Sequence, residues 1–543
     1  MTLGKAPTQE ELYRSSREFC EERLAETSIY RLLARECHRL FPDEAFADLF
    51  NDIGRESVPP RIVAVVMVLQ RIEGCSDREA VERFTFDARW KYAAGGLDFD
   101  HPGFVHTVLV SMRARLRCSA RPNRIFETVL EVAKQAGLVG RKRVLDSTAL
   151  YDAVATQDTV TLIRSAIRAL LKVVDPKTET RLRAVLKRDD DYSASGKPVC
   201  DWQDEAAREA LVDELARDAY AVLAELDGET LAPAVREAAE LLTKVVGQDL
   251  EQREDGVFRI ARGVAEDRVI STVDPDARHG HKTAARGFDG YKGHIAIDPD
   301  SEVITATEVT AGNAADGSAA EAVLGDILSP AESAAPQSPG AGQAAAQSPT
   351  GSAAETERAE VYGDASYGTA TLVERLEGAG VEPNVKVQGA SPPRAGFTSQ
   401  DDFTIDTTEG TVCCPQGVLV ALKRSKDGSA QAEFGAHCQD CPARARCTTS
   451  PHGRTVKVHR QHDTLIRHRR RQRDPAWRKR YRSTRPKVER KIAHLMRRRH
   501  GGRRARVRGS ERTGHDFALL AAAVNLRRLA LLGVRHTAAG WAV

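Results

Sequence analysis

Apolar positions change period several times along this chain, and each change predicts an element. In VPPRIVAVVMVLQRIEG the prolines open a strongly apolar run and Gly74 closes it, which predicts a helix; Ser76 with Glu79 forms a capping box for a shorter helix after it. PNRIFETVLEVAKQAG predicts another helix that stops at Gly137. Residues 1–137 therefore read as an all-helical domain. At RKRVLDSTAL a short apolar run predicts a β-strand that delivers Asp146 at its end. Helical periodicity returns in TLIRSAIRALLKVV and EAAREALVDELARDAYAVLAEL, which predicts a helical insertion over 158–250. VFRIARG, DRVISTVDP, GYKGHIAID and VITATEVT then read as successive strands. AEVYGDASYGTATLVERLEGAG predicts strand, turn and helix, with Asp364 at the end of the strand, and FALLAAAVNLRRLALLG gives the chain a hydrophobic close. The fold class is α+β and multidomain, with residues 138–543 forming a second, strand-containing domain.

Two stretches break the pattern. Residues 329–357 are almost purely Ala, Ser, Pro, Gly, Gln and Glu and predict a flexible linker with no core. Residues 390–452 form a loop-rich, Cys-rich insert.

Composition changes the picture through its asymmetry. The chain has 543 residues, 41% of them hydrophobic, and a formal net charge of only +3. Yet residues 454–535 carry 27 Lys and Arg against 5 Asp and Glu, so the remainder is strongly acidic. Such a block predicts a nucleic-acid surface, and its apolar punctuation by Trp477, Tyr481, Val488, Ile492, Leu495 and Met496 predicts that it is folded. The arginines among the N-terminal helices fit either a DNA-binding module or a solvated face. The mixed charge of the N-terminus and the lack of a long apolar run predict a cytoplasmic, nucleoid-associated protein without a membrane span.

Within 475–510 there are fifteen Lys and Arg and one carboxylate, Glu489. An acid there opposes phosphate binding unless a cation meets it. Two strand-borne aspartates followed far downstream by a helix-borne glutamate is the order in which ribonuclease-H-like nucleases present carboxylates to two divalent ions, a hard-oxygen set suited to Mg²⁺ or Mn²⁺. Asp274, Asp276 and Asp289 are rival carboxylates that read as turn formers. Lys282, Lys292 and His294 lie where they could approach a phosphate backbone. Separately, Cys414, Cys438, Cys441 and Cys447 have the spacing of a structural Zn²⁺ site that would pin the insert, with Cys413 as the spare thiol.

At these residues the chain resembles the DDE transposases of bacterial insertion sequences, in the group that includes InsH-like and IS4-like enzymes. VLDSTAL is similar to the first-Asp motif, VYGDASYGT to the second, and YRSTRPKVERKIAHLMRRR to the third. PPRIVAVVMVLQRIEGCSDREAVERFTFDARWKYAAG resembles the helical domain that opens many of these proteins, with DNA-binding or dimerisation as its role. The resemblance implies a ribonuclease-H-like catalytic domain in which Asp146, Asp364 and Glu489 bind two Mg²⁺ or Mn²⁺ ions. It implies Tyr481, Arg485, Lys487, Arg490, Arg497 and Lys292 as DNA contacts. The spacing from Tyr481 to Arg485 is one residue longer than usual, and Met496 stands where the motif has Lys, with Arg497 beside it. The implied activity is cleavage at terminal inverted repeats and joining to target DNA, by a homodimer on double-stranded DNA. The alternative is a related endonuclease, or an inactive DNA-binding relative, without strand transfer.

Overall fold

The computed structural model describes residues 15–328 and 358–543 apart from positions 52, 55, 153, 191, 284, 391 and 393. The Ala/Ser/Pro stretch 329–357 lies outside the described residues. A mixed sheet organises the second half of the molecule. Its strands are β1 (Lys142–Tyr151), β2 (Arg278–Thr283), β3 (Arg286–Ile297), β4 (Ile304–Ala311), β5 (Glu360–Gly363) and β6 (Glu382–Val385). β3 pairs antiparallel with β1 on one side and with β4 on the other, while β2 pairs antiparallel with its first half. β5 lies parallel to β1, and β6 parallel to β5.

Two sequence expectations change here. β1 does not stop at Asp146; it runs on to Tyr151, because residues 146–151 find antiparallel partners in 290–295 of β3. Asp146 thus sits in mid-strand. DRVISTVDP is not a strand either. Asp274 in that segment is buried and accepts hydrogen bonds from Tyr291 Oη (2.7 Å) and Gly509 N (3.1 Å), so its backbone turns to serve that carboxylate.

Helices cover both faces of the sheet. α1 (Ile29–Leu40), α2 (Pro60–Glu73), α3 (Arg124–Gln135) and the last helix, Ser510–Leu531, share one apolar core with Val144, Ile295, Ile297 and Tyr362 of the strands. α2 is apolar almost all round and is buried almost all round, from Ile62 to Ile72. The core is therefore continuous across Gly137. On the opposite face Leu145, Ala296 and Val361 pack against the helix Ala370–Gly378. Between β1 and β2 come α4 (Thr159–Val173), α5 (Pro176–Val185), α6 (Glu205–Glu225) and α7 (Pro233–Asp249), with a separate core of their own. The Cys-rich insert holds two three-stranded sheets around a small core that includes Phe403, Val412 and Phe434.

Further along the chain come α8 (Ala370–Gly378), α9 (His462–Arg471), α10 (Pro475–Thr484), α11 (Pro486–Leu495) and α12 (Ser510–Leu531). α12 is tied to the sheet by Asn525, buried and paired to the backbone of Ile304: its Oδ1 accepts from Ile304 N and its Nδ2 donates to Ile304 O, both at 2.8 Å. A buried amide that satisfies both backbone groups of a strand residue fixes depth and register together. No described helix is long and apolar enough to cross a membrane.

Candidate active site

β1 and β5 run parallel with Val144 opposite Tyr362. Two residues further on, that register sets Asp146 level with Asp364, and the two-residue period of a strand keeps both on the face occupied by Val144. α11 packs against β1 on this face. Pro486 stands at the first position of α11, where its missing N–H costs nothing, so the chain bends from α10 into α11 at Arg485.

Arg485 is the hub of the site. Its guanidinium meets Asp146 through two contacts, Nη2 to Oδ1 at 2.9 Å and Nη1 to Oδ2 at 3.2 Å. Nη2 also lies 3.7 Å from Asp364 Oδ2, and Nη1 lies 3.6 Å from Glu489 Oε1, one helical turn along α11. The three sequence-nominated carboxylates therefore converge on one cation. Exposure grades across them: the side chain of Arg485 is 8% exposed, Asp146 15%, Asp364 40% and Glu489 62%. Burial holds the Asp146 carboxyl above its ordinary value despite the pull of Arg485.

Tyr481, on α10, is placed behind Asp364. Its hydroxyl donates to Gly363 O at 3.1 Å and its ring stacks on Trp477 with centroids 4.9 Å apart. Burial raises its pKa. In this position it supports the backbone that carries Asp364.

A cleft of about 390 Å³ opens beside the carboxylates, with Lys292, Asp316 and Ser366 among its walls and Lys282 exposed at its rim. Lys292 donates to Ala314 O (2.7 Å) and Asp316 Oδ1 (2.9 Å), and Ser147 Oγ donates to Asp316 Oδ2 (2.7 Å). Asp316 is a cleft residue that sequence reasoning missed; its one signal is a lone acid in the small-residue loop that follows β4. His294 is fully buried between Tyr367 and Thr310, at 3.0 and 2.9 Å, and burial lowers its pKa to about 4. It lies too deep to reach a phosphate backbone. Asp276 accepts from Ser510 N and Oγ at the start of α12, and Asp289 accepts from Thr156 and pairs with His279, so both rival aspartates serve local structure.

The remaining nominated cations do not gather at the carboxylates. Lys487 reaches Asp300 at 3.3 Å, and Arg490 pairs with Glu302. Arg497 lines a different cavity, on the rear of α11.

Three hard carboxylates around one positive charge are a donor set in kind for a divalent cation, with the guanidinium now at their focus. As spaced, no group of three or more His, Cys, Asp or Glu among the described residues is arranged to hold a metal ion. The same holds for the thiols. Cys414, Cys438, Cys441 and Cys447 line one cavity of about 40 Å³, all as free cysteines, with Cys413 outside it. Cys438 Sγ accepts from Arg454 N at 3.4 Å, and burial raises the Cys447 pKa.

Two families match the chain. A transposase DDE domain matches residues 413–530, which include Glu489, Arg485 and all but the last residue of α12. A transposase domain, DUF772, matches residues 18–115, the N-terminal helices. Asp146 and Asp364 lie outside both spans. No curated protein and no solved structure matches the chain. Transposase domain models thus match the chain near both of its ends, which supports an insertion-sequence DDE transposase.

Proposed function

We propose that this protein binds the terminal inverted repeats of its own element, cleaves the DNA there to expose 3′ hydroxyls, and joins those hydroxyls to target DNA. The observation that carries the reading is the meeting of Asp146, Asp364 and Glu489 within 3.7 Å of the Arg485 guanidinium, from positions up to 343 residues apart. The sheet order supports a ribonuclease-H-like domain: three antiparallel strands, β4, β3 and β1, continued by parallel β5 and β6. The Tyr481, Arg485 and Glu489 series supports placement near the IS4-like enzymes.

Asp146, Asp364 and Glu489 would hold Mg²⁺ or Mn²⁺, two ions in all, whose chemistry is to activate the attacking oxygen and stabilise the leaving one. The chain's own part is positioning. Asp146 is fixed by the sheet and Asp364 by Tyr481 beneath its backbone, while Glu489 is free to move on an exposed helix face. In cleavage a water oxygen bonds to phosphorus and the P–O3′ bond breaks, leaving a 3′ hydroxyl. In joining, that hydroxyl oxygen bonds to a target phosphorus and displaces the target's own 3′ oxygen. Arg485, Lys487 and Arg490 supply positive charge along the entering strand. Two ends must be held together, so a homodimer on DNA is the working unit. The Cys-rich insert is read as pinned by a structural Zn²⁺ on Cys414, Cys438, Cys441 and Cys447, which have closed on one cavity already.

The test is strand transfer in vitro with paired element ends and Mg²⁺. Joined products that vanish in Asp146→Asn, Asp364→Asn and Glu489→Gln support the proposal. Cleavage without joining would turn the reading toward an endonuclease, and cleavage that survives all three substitutions would sink it.

A further inference from the structure

α11 has a second site on its rear. There a cavity of about 180 Å³ is lined by Lys491, Arg497, Arg527 and Arg528, with Val524 and Leu531 as apolar floor. One carboxylate, Glu302, also faces it, and that acid is engaged by Arg490 from outside. The Lys491 side chain is 2% exposed, and its ionic contact is Glu302 Oε2 at 3.9 Å, too long for a hydrogen bond. An ammonium carries three donors, so burying it at such a distance leaves it short of acceptors. Arg528 is fixed beside it, Nε donating to Ser301 O at 2.7 Å. Arg497 and Arg527 extend the positive wall, and neither forms an ion pair among the described residues.

Four cations against one shared acid is a costly arrangement, most of all for the buried Lys491 ammonium, which half-buried Arg527 and Arg528 and exposed Arg497 repel. A tetrahedral oxyanion removes that cost. It offers several acceptor oxygens to one buried ammonium and to planar guanidinium forks, which is the geometry arginine matches best. A sugar or an apolar ligand would leave the cations uncompensated. We propose that the cavity behind α11 binds a phosphate group. Its seat on the same ten-residue helix as Glu489 lets the bound anion set the position of that carboxylate from the opposite face. The phosphate is either one group of a DNA backbone that wraps past α11 or a free phosphate. The pocket itself does not depend on the transposition reading; only the DNA source does.

The experiment uses the full chain in two arms. In the first, thermal unfolding is followed with inorganic phosphate against chloride at matched ionic strength. Phosphate at about ten times its Kd raises Tm by about 1 °C for a chain of this size, and Lys491→Met removes the rise while leaving the phosphate-free Tm unchanged or higher. In the second, phosphate-ethylation interference is run on duplex DNA carrying the element's ends. A backbone phosphate whose ethylation blocks binding by the natural chain but not by Lys491→Met identifies DNA as the source. A thermal shift without such a phosphate identifies the free anion. Should Lys491→Met fail to fold, Arg527→Gln, a half-exposed position, serves in both arms with a reduced rather than abolished response. No phosphate-specific rise together with no Lys491- or Arg527-dependent DNA phosphate overturns the proposal, as does a rise that both variants retain in full. Loss of strand transfer alone would bear on the catalytic reading and leave this one standing.

Discussion

The two faces of α11 solve opposite electrostatic problems. On the front, three carboxylates share one guanidinium, which leaves a surplus of negative charge beside the central strands β1 and β5. On the rear, four cations share one glutamate that is already engaged, which leaves a surplus of positive charge in a cavity. Each face is incomplete by itself, and each lacks the sign of charge the other holds. Ten residues of helix thus separate a place that wants a cation from one that wants an anion. A surplus gathered around one buried charge, Arg485 in front and Lys491 behind, points to a ligand more sharply than does the overall basicity of the segment, most of which is solvent-facing and screened.

The largest expected effect comes from the front. Asp146→Asn and Glu489→Gln should each lower DNA cleavage by about a hundredfold to a thousandfold, a loss of the size seen when one charge-stabilising group is taken from an active site. Their effects on folding should differ. Asp146 makes both close contacts with buried Arg485, so its loss should cost about 3–5 kcal/mol, whereas Glu489 is 62% exposed with its contact at 3.6 Å and should cost under about 0.5 kcal/mol. Urea unfolding of the two variants checks this, and equal destabilisation would break the picture of a graded front face.

Arg485→Gln comes next. It leaves three carboxylates facing one another without their cation, so the metal-free chain should lose about 3 kcal/mol or more. Because guanidinium and divalent cation compete for the same oxygens, Mn²⁺ should raise the Tm of this variant further than that of the natural chain. A smaller response in the variant would mean that Arg485 helps to hold the metal instead of standing in its place.

Much of this front face was legible in the sequence, and the reason is local. Asp364 follows a short apolar run and the strand ends where that run does. Glu489 is the single acid in a basic helix, so its isolation alone singled it out. Asp146 was nominated from its motif but placed at a strand end, since the partners that extend β1 to Tyr151 come from 290–295, about 150 residues away. Arg485 was read as a phosphate contact; that it bridges all three acids depends on the parallel register of β1 and β5, which no local pattern encodes. Asp316 and the rear cavity were invisible for the same reason. Lys491 looks like any other cation of the run until Glu302, Arg527 and Arg528, from β4's approach and from α12, are brought around it. The N-terminal helices were legible as helices, but not as part of the core that backs the sheet, because an apolar helix shows that it is buried without showing against what.

The Cys-rich insert serves as a control, since its small core lies apart from both faces. One zinc per chain is expected by elemental analysis, retained in Cys413→Ser and lost in Cys438→Ser, with the insert's protease sensitivity rising when the metal is removed. Strand transfer should fall by less than for any substitution of Asp146 or Glu489. No zinc in the natural chain would leave the insert to be held by its apolar core alone.

The last effect is shared by the two faces and separates them by its salt dependence. His294 lies buried near the front carboxylates and His500 lies at the rear cavity, and burial lowers each pKa to about 4 from an ordinary 6.5. The unfolded chain therefore takes up these protons first as pH falls. Stability from the two histidines is full above pH 6.5 and declines between 6.5 and about 4, each contributing a slope of at most about 1.4 kcal/mol per pH unit. His294→Gln and His500→Gln should each remove about one proton from that slope in urea titrations. At His500 burial acts first, the hydrogen bond to Ile72 O opposes it, and repulsion from Arg499, Arg497 and Arg71 adds to it, while at His294 Asp316 opposes burial. Raising the salt concentration, or adding phosphate, should accordingly raise the pKa of His500 and flatten its part of the slope, and leave that of His294 nearly unchanged. An equal response at the two positions would show that the positive surplus behind α11 is already neutralised within the chain.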